Sequence, residues 1–222
     1  MRGFAITWES REEGLSNMAD TFLHDRKKLE TFEWDNVWIE HAEKDDITRI
    51  LYIGDSISVG TRHIATGLGL QKAYFDNFGT SKALDNPCFC DALRLFGVQE
   101  GYRHAVIFNN GLHGWHIDDE KEYPEYYEKM VFFLLDAFKG TPVFLVLTTH
   151  VRDEELNKRV VKRNCAVKAI AKKYCLPTID FYTPSAENPD LISGDGVHFT
   201  EEGYNVLAKT ALRELQTVIE TK

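Results

Sequence analysis

The chain alternates short apolar runs with longer stretches of near-helical periodicity. The apolar runs are RILYIG (Arg49 to Gly54), KAYFDNFG (Lys72 to Gly79), HAVIFNNG (His104 to Gly111), PVFLVLTTH (Pro142 to His150) and LPTIDFY (Leu176 to Tyr182). Unbroken apolar runs of this kind predict strands covered on both faces. Between them, Tyr123 to Phe138 places Tyr126, Tyr127, Met130, Phe133, Leu134 and Phe138 close to a 3.6-residue repeat. Glu154 to Tyr174 follows the same period, with its lysines and arginines assigned to the opposite face. Thr200 to Ile219 opens with a capping threonine, and Glu201 and Glu202 suit the positive end of the helix. Strand–helix alternation predicts an α/β fold, a three-layer α/β/α sandwich around a mostly parallel five-stranded sheet. Ligands of such sheets sit at the carboxyl ends of the strands. Gly54-Asp55-Ser56, Gly79, Asn109 to His113 and Thr148 to His150 all fall at such ends.

Residues 1–46 do not share this rhythm. They are charged and irregular, although Leu15 to Leu29 predicts an amphipathic helix, and Trp34 and Trp38 are spaced to pack on one side of the domain. The expectation is an N-terminal extension, 1–46, packed on a single domain, 47–222. No Gly/Ser/Pro linker, internal repeat or low-complexity tract marks a second domain.

Composition narrows the class of function. Apolar residues make up 43% and charged residues 27% of the 222 positions, the profile of an ordinary soluble globular protein. A net charge of −9 without any basic stripe disfavours nucleic acid and anionic membranes as partners. No run approaches the ~18 apolar residues of a membrane span, and the N-terminus lacks a signal-peptide pattern. The expected location is the cytoplasm. Cys88, Cys90, Cys165 and Cys175 are then expected to be reduced, with Cys165 and Cys175 in the core. The Cys88/Cys90 pair has no second pair at metal-binding spacing, so no metal is expected. A homo-oligomeric contact through residues 1–46 stays open.

The chemistry lies in two stretches. A serine at a strand end is a nucleophile only if a base and an orienting acid reach it. SGDGVHFTEEGY supplies Asp195 and His198, three residues apart, before the last helix. In a tight loop the carboxylate can meet imidazole Nδ1 and leave Nε2 for a hydroxyl. An ordinary loop Asp and a capping-region His give the same text.

IGDSIS followed far downstream by DGVHFT resembles the GDSL, or SGNH, hydrolases, a family of serine esterases and acyl hydrolases with the three-layer fold described above. The likeness spans Arg49 to the C-terminal end. It implies a triad of Ser56, His198 and Asp195, with Asp55 supporting the nucleophile turn. It also implies an oxyanion hole built from the backbone N–H of Ser56, that of Gly79, and a side chain after the third strand. That block departs from the usual Gly-x-Asn-Asp: FNNGLHGWH offers His113, or Asn109 or Asn110 in another register. It looks like an N-x-G-L-H variant of the family. A neutral histidine donates an N–H as asparagine does, so His113 is favoured, with Asn109 bracing the loop. Trp115 and His116 are candidate substrate contacts, with surface packing the equal alternative. His63 is read as a surface or packing residue, and among Thr148, Thr149 and His150 one is a candidate substrate contact.

The implied function is a serine esterase that removes short acyl groups, acetyl foremost, from a small-molecule or oligosaccharide ester, without metal or organic cofactor. The alternatives are a lysophospholipase- or thioesterase-type acyl hydrolase and a non-catalytic carbohydrate-binding relative.

Overall fold

A computed structural model describes residues 29–70 and 72–221. The elements are β1 (Asp35–Trp38), β2 (Thr48–Gly54), α1 (Ser56–Leu68), β3 (Ala73–Thr80), α2 (Phe89–Glu100), β4 (Ala105–Phe108), α3 (Glu122–Ala137), β5 (Val143–Leu147), α4 (Glu154–Tyr174), β6 (Thr178–Asp180), α5 (Tyr182–Glu187), α6 (Glu201–Glu214) and α7 (Gln216–Glu220). They form one sheet in the order β1-β3-β2-β4-β5-β6. The pairs β3–β2, β2–β4, β4–β5 and β5–β6 are parallel, and β1 runs antiparallel to β3. The five parallel strands thus keep the doubly wound flavodoxin-like order, whose switch point lies between β2 and β4.

Every residue of β2, β3, β4 and β5 is buried, which is why their sequences show no polar alternation. Successive side chains feed two separate cores. Leu51, Ile53, Val106 and Phe108 pack with Phe89, Leu93, Tyr123, Tyr127 and Leu134 beneath α2 and α3. Ile50, Tyr52, Ile107 and Val146 pack with Ile57, Leu207, Ala208 and Ala211 beneath α1 and α6.

Three expectations need correction. The sheet has six strands rather than five, and the added strand, β1, comes from the segment read as an extension. All four residues of β1 are exposed, so no apolar period marks it; it joins the sheet through backbone pairing with β3. LPTIDFY is strand only over Thr178–Asp180, because Asp180 accepts hydrogen bonds from the Thr183 N–H and hydroxyl and starts α5. Cys165 and Cys175 are exposed, not core residues. The predicted helix Leu15 to Leu29 lies outside the described residues except for its last position. The α4 boundaries match the sequence expectation, with Asp153 as its cap. The final helix is capped by Thr200, and Leu215 divides it into α6 and α7.

Candidate active site

β2 ends at Gly54, and the chain turns at once into α1. The Asp55 side chain caps the helix by accepting the Ile57 N–H at 2.9 Å. Ser56 is therefore the first helical residue, at the positive end of the helix dipole and at the sheet's switch point. The Asp55 carboxyl is buried and pushed up by that burial. The His113 and His198 rings and the Ile57 N–H oppose the shift.

His198 arrives from the other side. Its Nε2 lies 2.7 Å from Ser56 Oγ, across 142 residues of sequence, and its Nδ1 lies 2.6 Å from Asp195 Oδ2. The other carboxylate oxygen, Oδ1, accepts the backbone N–H groups of Val197 and His198, each at 2.9 Å, and the Ser193 hydroxyl at 2.8 Å. These donors, the Val197 N–H foremost, hold the Asp195 carboxyl well below the usual carboxylate range. The loop turns through Gly196 at φ +79°, a conformation glycine adopts without strain. Arg152 clamps it from the β5–α4 connection: its guanidinium donates to Ile192 O and Ser193 O, and its backbone N–H donates to Gly196 O. Serine, imidazole and carboxylate thus form one hydrogen-bonded line, and the His–Asp pair is open to solvent, with the His198 side chain 43% exposed.

The loop after β4 forms the opposite wall. Asn109 donates its amide hydrogens to Val146 O at 3.1 Å and Thr148 Oγ1 at 3.0 Å, and its carbonyl accepts the Gly111 N–H. Both amide hydrogens are thereby committed to bracing the loop against β5. Asn110 donates to Lys82 O at 2.9 Å, and its backbone carbonyl accepts the Tyr123 hydroxyl. A Cβ at position 111 would fall 1.8 Å from Thr148 Oγ1, so only glycine lets the loop lie this close to β5. Of the three side chains offered by the third block, His113 is the one not committed to a backbone carbonyl by the contacts above. Its ring packs edge-on to Trp34 and its Nδ1 lies 4.0 Å from Glu30 Oε1.

Gly79 lies near the end of β3 in register with Gly54, but strand alternation turns its N–H toward β1. The Ser81 N–H donates to Trp34 O at 3.1 Å, across to the strand-β1 side. Alternate residues of a strand direct their N–H groups to the same side. Two residues earlier, the Gly79 N–H therefore points at its register partner Asn36 in β1, away from β2 and Ser56. What requires glycine here is space: a Cβ would lie 2.5 Å from Val59 of α1.

The residues that fix the loop after β4 were not apparent in the sequence. Arg163, assigned to the solvent face of α4 with its other basic residues, is fully buried. It donates to the carbonyls of Gly111, His113 and Gly114 at 3.1, 2.6 and 2.8 Å and to Asp119 Oδ1 at 2.7 Å. Its guanidinium also lies 4.5 Å from the ring centroids of Trp115 and Tyr123. Arg159 bonds the other Asp119 oxygen and the carbonyls of Trp115 and Ile117. Burial raises the Asp119 carboxyl, but the two guanidinium groups outweigh it and hold the group below its ordinary value. Trp115 is half-buried on these two arginines, and His116 is exposed and paired with Asp85 at 3.1 Å. Thr148 and Thr149 are buried, and His63 is exposed. A groove of about 700 Å³ lies at the opposite, amino-terminal ends of the strands, beside Tyr102, His104 and Pro142. Among the described residues, the nucleophile–base–acid line lies instead at the carboxyl ends.

Among the described residues, no group of three or more His, Cys, Asp or Glu side chains is placed to hold a metal ion, and no helix is long and apolar enough to cross a membrane. No protein-family model matches the sequence, and no curated protein matches it in sequence. Solved structures do match in fold. A lipase/acylhydrolase from Enterococcus faecalis is 18% identical, with a TM-score of 0.61 over 77% of this chain and 96% of its own. The C-terminal catalytic domain of peptidoglycan O-acetyltransferase A from Streptococcus pneumoniae is 20% identical, with a TM-score of 0.60 over 78% and 94%. An acetylxylan esterase from Geobacillus stearothermophilus is 15% identical, with a TM-score of 0.57 over 76% and 94%. At these identities the likeness establishes a shared fold.

Proposed function

We infer that this chain is a serine ester hydrolase of the GDSL, or SGNH, type, acting on short acyl esters of a carbohydrate. The observation that carries the reading is the unbroken line Ser56 Oγ–His198 Nε2–His198 Nδ1–Asp195, with spacings of 2.7 and 2.6 Å. Ser56 Oγ attacks the ester carbonyl carbon while His198 Nε2 takes the hydroxyl proton. The carbonyl π-electrons move to oxygen, and the oxyanion meets the Ser56 N–H and the His113 ring N–H. As the intermediate collapses, the bond to the alcohol breaks and His198 returns the proton to the leaving oxygen. A water repeats the sequence on the acyl-serine, releasing the carboxylic acid and restoring Ser56. Asp195, held ionised by its own loop, fixes the imidazole tautomer and balances the imidazolium formed in each half.

Two observations favour a carbohydrate acetyl ester. Structures sharing the fold include an acetylxylan esterase and a peptidoglycan O-acetyltransferase. In addition, His198 and Asp195, which face the departing alcohol, are exposed, leaving room for a bulky polar leaving group. The test is hydrolysis of p-nitrophenyl acetate and octanoate, followed by acetate release from acetylated xylo-oligosaccharides. Preference for acetate together with acetate release supports the reading. Preference for octanoate moves the protein to the lysophospholipase or thioesterase alternative. Ester hydrolysis unchanged in Ser56→Ala removes the mechanism, and an inert wild type that binds the oligosaccharides makes it a non-catalytic relative.

A further inference from the structure

The segment between Glu30 and Trp38 precedes every residue of the nucleophile–base–acid line, yet it touches the loop that carries His113. Glu30 Oε1 accepts the Gly114 N–H at 2.5 Å and lies 4.0 Å from His113 Nδ1. The Trp34 indole meets the His113 ring edge-to-face, with centroids 6.3 Å apart at 76°. The segment is itself anchored. Glu33 accepts the Glu30 N–H, and Trp34 exchanges hydrogen bonds with Ser81 through N–H to Oγ and O to N–H. Asp35 accepts from the Thr80 hydroxyl and from Lys82 Nζ. Lys82 in turn presents the carbonyl that holds Asn110. A chain of contacts therefore runs from β1 through the exit of β3 to both sides of the loop Asn109–Gly114.

This arrangement constrains the imidazole from two directions. Arg163 fixes the backbone on either side of His113 through the carbonyls of Gly111, His113 and Gly114. A ring on a pinned backbone still rotates about two side-chain torsions. Trp34 packs edge-to-face with the ring and Glu30 stands 4.0 Å from Nδ1, so both restrict its rotation. We propose that Glu30 and Trp34 are positioning residues of the oxyanion hole, and that the N-terminal segment is a working wall of the catalytic centre rather than an appendage. The inference rests on the ester-hydrolase reading, with His113 as the oxyanion donor.

The test compares Glu30→Ala, Glu30→Gln, Trp34→Ala and His113→Ala with wild type on a short-chain p-nitrophenyl ester. Loss of a whole oxyanion donor costs about 10²–10³-fold in rate. Glu30→Ala and Trp34→Ala should therefore lower kcat by about tenfold or more, with KM changed by less than about threefold. Glu30→Gln keeps an acceptor for Gly114 and should recover to within about threefold of wild type. If Glu30 acts through the loop, Glu30→Ala should change kcat by less than about twofold in a His113→Ala background, whereas an unrelated defect should add in full. Wild-type kcat in both alanine variants, loss confined to KM, full additivity with His113→Ala, or Glu30→Gln as slow as Glu30→Ala would each overturn the proposal. A wild type without esterase activity sinks the underlying reading instead, so the two failures are distinguishable.

Discussion

Two loops face Ser56, and they are built in opposite ways. The loop Ser193–His198 is partly open to solvent, and its acid and base are held from within: Asp195 binds Ser193, Val197 and His198, all within three residues, while Arg152 steadies the backbone. The loop Asn109–Gly114 is nearly all buried and is held from afar by Glu30, Lys82, Thr148 and Arg163. In the proposed mechanism the first carries the groups that exchange protons with a leaving alcohol and with water, and exposure serves that role. In the same proposal the second presents a donor to a developing charge without reorganising, which favours a rigid, dry mount. Each loop has its arginine, and the pair shows the same contrast. Arg152 is exposed and grips two carbonyls, whereas Arg163 is buried and grips three carbonyls and a carboxylate.

The largest expected effect comes from the serine that both loops serve. Ser56→Ala, and likewise His198→Ala, should lower kcat on a short-chain ester by about 10⁴-fold or more. Activity that survives either change would leave the two loops without a common centre. Next, His113→Ala should cost about 10²–10³-fold in kcat. Asn109→Ala, whose amide is spent on bracing, should instead destabilise by about 1–3 kcal/mol in denaturant unfolding with a smaller kinetic loss. If kcat falls steeply for Asn109→Ala alone, the oxyanion donor has been misassigned.

The two arginines separate by stability. Arg163→Met leaves Asp119 without its buried partner and should destabilise by about 3–5 kcal/mol. Arg152→Ala should cost about 1 kcal/mol or less, since its carbonyl partners turn to water. Equal shifts in urea midpoint would contradict the division into a buried and an exposed mount. The smallest effect is on acid stability. The Asp119 carboxyl is depressed in the folded chain below its unfolded value near 3.8. Its contribution is therefore complete above that pH and is lost as pH falls through it, because the unfolded chain takes up the proton first. Asp119→Asn should flatten the decline in Tm between about pH 5 and 3; a slope equal to that of wild type removes Asp119 from the acid response.

How far the sequence could be read follows the same division. A D-x-x-H loop contains its own contacts, so Asp195 and His198 could be singled out without knowing the fold. Gly111 and His113 could be named, but not the groups that hold them: Glu30 lies 84 residues before Gly114 and Arg163 lies 49 after it. Arg163 was hidden by its helix, where a basic residue among others reads as a solvated face. Trp115 carries a large aromatic surface, and only the stacked arginines show that this surface is partly occupied from within.

The sequence by itself determined the alternation of strand and helix, the mostly parallel sheet, and the local pairing of Asp195 with His198. Each of these follows from local periodicity or from contacts a few residues apart. Tertiary structure alone decided that the chain before residue 47 supplies a sixth strand, that the Gly79 amide points into β1, and that the Asn109 and Asn110 amides are spent on bracing their loop. Those outcomes depend on which backbone faces which, on whether an amide is already engaged, and on a buried cation reached across 49 residues or more. None of these leaves a period in the sequence.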